Sequence, residues 1–194
     1  MLKLVFKVFY TVRKKMQGFV FKVRMMEFKY LFGDRIIFPA EVYFSQLPDF
    51  LFDESKSKVI IGHKVASRGK LNLLFYSDGI IQIGESTFFN NDCSVNALLH
   101  VQIGANCLFG ENVKIYDHNH QYKNVALPIK DQGYTMAPVK IGNNCWIGSN
   151  VVILKGVAIG DNCVIGANSV VHKSLPANSI SINVAESRIT SYSY

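Results

Sequence analysis

From Ile141 onward hydrophobic residues return at every sixth position, a spacing that fits neither the 3.6-residue turn of a helix nor the two-residue alternation of a plain strand. The chain reads IGNNCW, IGSNVV, ILKGVA, IGDNCV, IGANSV and VHKSLP, each hexad opening on Ile or Val, with Gly second in four of them. An earlier run has the same form: IGANCL from Ile103, FGENVK from Phe109 and IYDHNH from Ile115. A weaker one opens at Ile83 with IGESTF and continues through FNNDCS. The phase slips between Ile115 and Ile141, which predicts an excursion over 121–138 that leaves the repeat and returns to it.

Such a unit suits a short strand followed by a corner. Aliphatics at the first place point inward, small residues at the fifth place (Cys145, Val151, Val157, Cys163, Ser169) fill the tight interior, and Gly- and Asn-rich corners supply backbone conformations that bulky residues resist. No single coil buries its own face, so stacked coils share one core. The predicted organisation is a basic, amphipathic and irregular segment over 1–58, a repeat domain over 59–180 with its excursion at 121–138, and a tail over 181–194.

At 194 residues and 49% hydrophobic content the chain has material for one sizeable core with an appendage. The net charge of +7 suggests nucleic acid until it is located. Residues 1–31 hold eight Lys/Arg against Glu27 alone, and the rest of the chain is neutral, so no nucleic-acid face is expected on the repeat domain. On a helix, the six lysines of 1–31 fall within an arc of about 120°, leaving Val5, Phe9, Val12, Met16, Phe19 and Val23 off that stripe. This predicts a basic amphipathic helix, either docked with its lysines solvated or in peripheral contact with an anionic membrane face. The basic residues interrupt the apolar run too often for a signal-peptide core or a spanning helix. Cys93, Cys107, Cys145 and Cys163 all fall at the fifth place of a hexad and form no CxxC pair, which predicts small buried core residues in a reducing, cytoplasmic protein.

The IG-rich run with WIG at 146–148, followed by VVHKSLPANSI at 170–180, resembles the hexapeptide-repeat acyltransferases, and most of all their sugar O-acetyltransferase branch. The resemblance covers about residues 60–185. It implies a mainly β fold, the left-handed parallel β-helix, a homotrimer, and acetyl-CoA bound between subunits as co-substrate. The general preference for right-handed crossovers would point the other way on handedness. By the same resemblance Trp146 stands near the acceptor cleft, Ser149 offers a backbone N–H to the thioester oxygen, Ala167 is the small residue beside pantetheine, and Lys173 meets CoA phosphates. The closing motif departs from the family's Gly-Asn/Val-Pro-Ala-Lys/Arg, reading INVAESR at 182–188, so Arg188 stands in for the basic residue at the adenine end.

Acyl transfer to a sugar hydroxyl needs a base, and histidine titrates near neutrality. Of the five histidines, His63, His100 and His172 read as surface or core residues. In the resembling enzymes the catalytic histidine ends the hexad before the long loop, which counting from Ile115 is His120, with His118 its neighbour. Asn96, Asp117 and Tyr122 are the candidate acceptor contacts, and the excursion's polar and aromatic mix suits a sugar of a surface polysaccharide or its precursor. The His-x-His spacing also admits zinc, with His100 as a third ligand, as in carbonic anhydrases that resemble this fold. The long loop, WIG and the 170–180 element favour the CoA-using branch, so no metal is expected. The rival readings are another acceptor (an amino sugar, serine or a xenobiotic), the zinc lyase, and a non-catalytic trimeric scaffold.

Overall fold

The computed structural model describes residues 56–183 throughout and, before them, 33–39, 41–46, 48–52, Val23, Met26, Glu27 and Tyr30. The chain divides into two units, Met1–Ile37 and Phe38–Tyr194. In the first, Val23, Met26, Glu27 and Tyr30 are helical and exposed, and a 3-10 turn spans Gly33–Arg35. The rest of the basic 1–31 segment and its membrane contact lie outside the described residues, as does Arg188. Among the described residues no helix is long and apolar enough to cross a membrane.

The second unit is the left-handed parallel β-helix that the family resemblance implies, a three-sided coil whose strands pair with those one coil on. On the first face Lys58–Ile61, Ile80–Ile83, His100–Ile103, Val139–Ile141 and Ala158–Ile159 stack in order. The second runs from Tyr43–Phe44 through Phe88–Phe89, Leu108–Phe109 and Trp146–Ile147 to Ile180–Ser181, and the third from Asp49–Phe52 through Cys93–Ala97 and Lys114–Tyr116 to Val170–Val171. In the back half Lys140 pairs with Ala158, Trp146 with Val164 and Val152 with Val170, an offset of eighteen, or three hexads. In the front half the offset widens: Ile80 pairs with His100, Lys58 with Ile80, and Tyr43 with Ala66. Coiling therefore extends well before residue 59. The strands there are longer, as at Leu71–Phe75 and Cys93–Ala97 against Trp146–Ile147 and Val152–Ile153, and they hide the period, because the hexad is readable only where strand and corner keep one length.

Alternation along each strand turns one row of side chains inward. Ile81, Val101, Val139 and Ile159 line the first face from inside, and Phe89 stacks on Phe109 with centroids 4.6 Å apart and planes 15° apart. Each such side chain contributes about 1.5–3 kcal/mol on burial. The corners are held by asparagines with positive φ. Asn112, Asn150 and Asn168 (φ 57, 58 and 59) form one ladder, each amide donating at 3.0 Å to the carbonyl oxygen of the next. Asn144, Asn162 and Asn178 form a second, at 2.8 and 3.0 Å. Asparagine tolerates the left-handed region better than most side chains and spends its amide on the neighbouring coil.

The fifth-place cysteines are buried as expected. Each thiol donates to a carbonyl of the following coil: Cys93 to Gly110, Cys107 to Gly142, Cys145 to Gly160 and Cys163 to Pro176, at 3.1–3.2 Å. Burial pushes the Cys93 thiol above its ordinary pKa.

Coil-to-coil contact also explains a second-place glycine. A Cβ at Gly104 would lie 2.5 Å from the carbonyl oxygen of Gly142.

Candidate active site

The excursion begins at the corner after Lys114–Tyr116. His118–His120 turns out of the coil and pairs antiparallel with Tyr134–Met136, and the Asp117 carbonyl closes the base of this hairpin by accepting the Ala137 N–H at 2.8 Å. IYDHNH therefore does not complete a hexad, because its last three residues belong to the hairpin. The chain leaves the coil at Asp117, earlier than the expected 121. Val101 pairs with Val139, an offset of 38 that exceeds the regular eighteen by the twenty residues of the excursion.

Beyond the hairpin the loop is braced by one amide. Gln132 donates to the carbonyls of Asn124 and Leu127, both at 2.9 Å, and accepts the Asn124 N–H at 3.0 Å. A 3-10 turn at Ile129–Asp131 precedes it.

Asp117 is wholly buried, and its carboxylate is fully occupied. It accepts the backbone N–H groups of Leu98, Leu99 and His100 at 2.7–3.1 Å, and the Nδ1–H of His118 at 2.9 Å. Burial alone would raise its pKa, but the His118 ring and the three backbone donors outweigh it and hold the carboxyl below the ordinary range. An ionised Asp117 fixes the His118 tautomer with hydrogen on Nδ1 and leaves the Nε2 lone pair unpartnered among the described residues. The His118 side chain is 17% exposed.

His120 is exposed and has no carboxylate partner among the described residues; its ring lies against Tyr134. The hexad frame favours His120 as the base, whereas the orienting hydrogen bond belongs to His118. The Asp117 carboxylate holds the His118 ring at 2.9 Å.

Of the candidate acceptor contacts, Asn96 sits beneath this corner, in register with Tyr116, and its amide is spent on Ser94 Oγ at 2.7 Å and the Ile115 carbonyl at 3.1 Å. Asp117, expected as an acceptor contact, is wholly buried and hydrogen-bonded to the His118 ring instead. Tyr122 is exposed on the loop, outside the hairpin ladder. His100, the third zinc candidate, pairs Nε2 with Gln82 Oε1 at 3.1 Å. Among the described residues no three His, Cys, Asp or Glu side chains converge.

The candidate donor residues lie elsewhere on the coil. Trp146 is 58% exposed on the second face, between Leu108 and Val164 in register. Ser149 and Ala167 occupy the next corner at equivalent places in successive coils, as the Asn168 N–H to Ser149 carbonyl bond of 2.9 Å requires. Both are small, and no acceptor for the Ser149 N–H occurs among the described residues. Lys173 is exposed just past Val170–Val171. One chain thus gathers Asn96, Asp117, His118 and His120 at one corner and places Ser149 and Ala167 at another. Tyr134, which touches both histidine rings, lacked a sequence signal that set it apart from the other aromatics of the excursion.

Residues 138–173 match the family described as bacterial transferase hexapeptide (six repeats). The chain is 31% identical over 114 residues to the probable acetyltransferase Rv3034c of Mycobacterium tuberculosis, covering 59% of this chain and 38% of that protein. It therefore spans well under half the length of that relative. It is 30% identical over 140 residues to the putative lipopolysaccharide biosynthesis O-acetyl transferase WbbJ of Escherichia coli K12, covering 69% of this chain and 71% of that one. Among solved structures, a galactoside acetyltransferase in complex with coenzyme A superposes with a TM-score of 0.52 at 38% identity, over 57% of this chain and 55% of that one. The match in the repeat block and the extent of the WbbJ likeness agree with the coil geometry, and this chain belongs to the bacterial hexapeptide-repeat transferase family.

Proposed function

We propose that this protein transfers an acetyl group from acetyl-CoA to a hydroxyl of a sugar, in a surface polysaccharide or its precursor, with His118 as general base. The observation that carries the reading is the buried Asp117 carboxylate on His118 Nδ1 at 2.9 Å, which leaves Nε2 as the ring nitrogen free to accept a proton. Relatives and neighbours named as acetyltransferases, one of them in complex with coenzyme A, support the donor, and the WbbJ and galactoside enzymes support the acceptor class.

His118 Nε2 takes the proton of the acceptor hydroxyl as its oxygen attacks the thioester carbonyl carbon. The carbonyl electrons move to oxygen, where a backbone N–H such as that of Ser149 stabilises the developing charge. Collapse of that intermediate breaks the carbon–sulfur bond, and the proton held on Nε2 passes to the departing CoA thiolate. No covalent acyl-enzyme forms. Ser149 and Ala167 have small side chains that leave the corner backbone open to a slender pantetheine arm.

Because the base and the donor corner are separate on one chain, the site is completed by a second copy that sets its donor corner against the His118 corner of the first. A homotrimer closes this arrangement with three equal interfaces. The test of the activity is mass spectrometry of glycosides incubated with the protein and acetyl-CoA. Gain of one acetyl group per glycoside is expected; no gain on any sugar, with acetyl appearing on serine or an amine instead, overturns the reading.

A further inference from the structure

The hairpin that carries His118 presents a second exposed surface that proton transfer does not use. His118 and His120 are two residues apart on one strand and so share a face. Across the ladder His118 pairs with Met136 and His120 with Tyr134. The Tyr134 ring contacts both imidazoles, edge-on to His118 at 5.4 Å and 89°, and tilted against His120 at 4.5 Å and 41°. Tyr134 is 42% exposed. Its backbone is fixed from both sides, by the ladder to His120 and by the Gln121 amide donating to the Tyr134 carbonyl at 3.1 Å. This is a preset aromatic surface beside the nitrogen that takes the proton.

We propose that Tyr134 and His120 form the acceptor subsite, and that it takes a neutral hexopyranoside. The inference rests on the sugar O-acetylation reading above. One face of a pyranose ring is lined by C–H groups, and an exposed aromatic face buries it while leaving the hydroxyls at the rim free. A sugar ring stacked on Tyr134 lies next to His118, so one rim hydroxyl comes within reach of Nε2, and His120 hydrogen-bonds a neighbouring hydroxyl. The strands His118–His120 and Tyr134–Met136 contribute no Lys, Arg, Asp or Glu to this face, and the adjacent Asp117 is buried and spent, so the hairpin itself offers a carboxylated sugar no partner. A uronic or sialic acid would need a cation on this face to pair with its carboxylate. His120 therefore contributes to acceptor binding, and His118 keeps the proton transfer.

The test is steady-state transfer from acetyl-CoA to a panel of neutral methyl hexopyranosides and their uronate and sialoside counterparts, in the parent protein, Y134A, Y134F and H120A. A neutral glycoside is expected as the best acceptor. Y134A should raise its KM at least tenfold with kcat within about threefold and the KM for acetyl-CoA unchanged. Y134F should restore most of the lost acceptor affinity, and H120A should raise acceptor KM without moving the pH profile of kcat/KM. Preference for a carboxylated sugar, or a Y134A defect confined to kcat, overturns the proposal while leaving the acetyltransfer reading intact. Failure of the parent protein to acetylate any glycoside overturns both.

Discussion

Asp117 Oδ2 accepts the His100 backbone N–H at 2.8 Å while Oδ1 of the same carboxylate holds the His118 ring. The proposed base is thereby anchored to the corner of the coil beneath it rather than to the excursion that it opens. Rigid solenoid geometry passes directly into the orientation of one imidazole, and the consequences for substitution follow from that sharing.

Asp117→Asn replaces an acceptor-only group by one that presents two hydrogens to a cluster of donors. At least one buried N–H loses its partner, which destabilises the fold by about 1–3 kcal/mol. The Nδ1–H tautomer of His118 is no longer enforced, so kcat should fall by roughly 10²-fold or more while the KM for acetyl-CoA stays near the parent value. Thermal melts and steady-state kinetics on the same preparation check both effects.

The pH dependence of stability has a defined sign. The Asp117 carboxyl is held below its unfolded value, so its contribution is complete above about pH 4 and is lost as pH falls through the lower folded value. Urea unfolding from pH 6 down to pH 2 should show a steeper acid loss in the parent than in Asp117→Asn.

Gly104→Ala tests the close packing of coils. The added methyl would sit 2.5 Å from the Gly142 carbonyl oxygen, a backbone atom with little room to yield. A loss of about 1–3 kcal/mol is expected from overpacking, read as a lower melting temperature with the far-ultraviolet spectrum retained.

The asparagine ladders predict a graded series. Asn162, at φ 57, accepts from Asn144 at 2.8 Å and donates to Asn178 at 3.0 Å. Asn162→Ala loses both bonds and keeps the backbone strain, for a cost of about 1–3 kcal/mol. Asn162→Gly loses the bonds but relaxes the strain, so its melting temperature should fall between those of the parent and the alanine variant.

The sequence showed the repeat where coils have equal length and hid it where they do not. The offset of eighteen between Trp146 and Val164 is visible as hexads, whereas Tyr43 and Ala66 carry no such mark although they pair in the same sheet. The inward cysteines, the glycines and the asparagine corners were legible because a tight corner admits few side chains. The site was legible as far as the segment 115–120. Which of His118 and His120 meets the Asp117 carboxylate depends on the direction in which the strand leaves the coil, and that direction is set by pairing with Tyr134–Met136, fourteen to eighteen residues further on. Counting sixes from Ile115 treated the hairpin as one more hexad. Tyr134 gained its place only from the same pairing.

The most direct measurement compares kcat/KM of His118→Ala and His120→Ala for acetyl transfer from acetyl-CoA to the best neutral glycoside, across pH, with each variant's binding of acetyl-CoA measured alongside. His118→Ala should bind acetyl-CoA like the parent and lose roughly 10²–10⁴-fold in kcat, while His120→Ala keeps the parent pH profile and loses mainly acceptor affinity. A His118→Ala enzyme with near-parent kcat, or the larger kcat loss in His120→Ala, would contradict His118 as the general base.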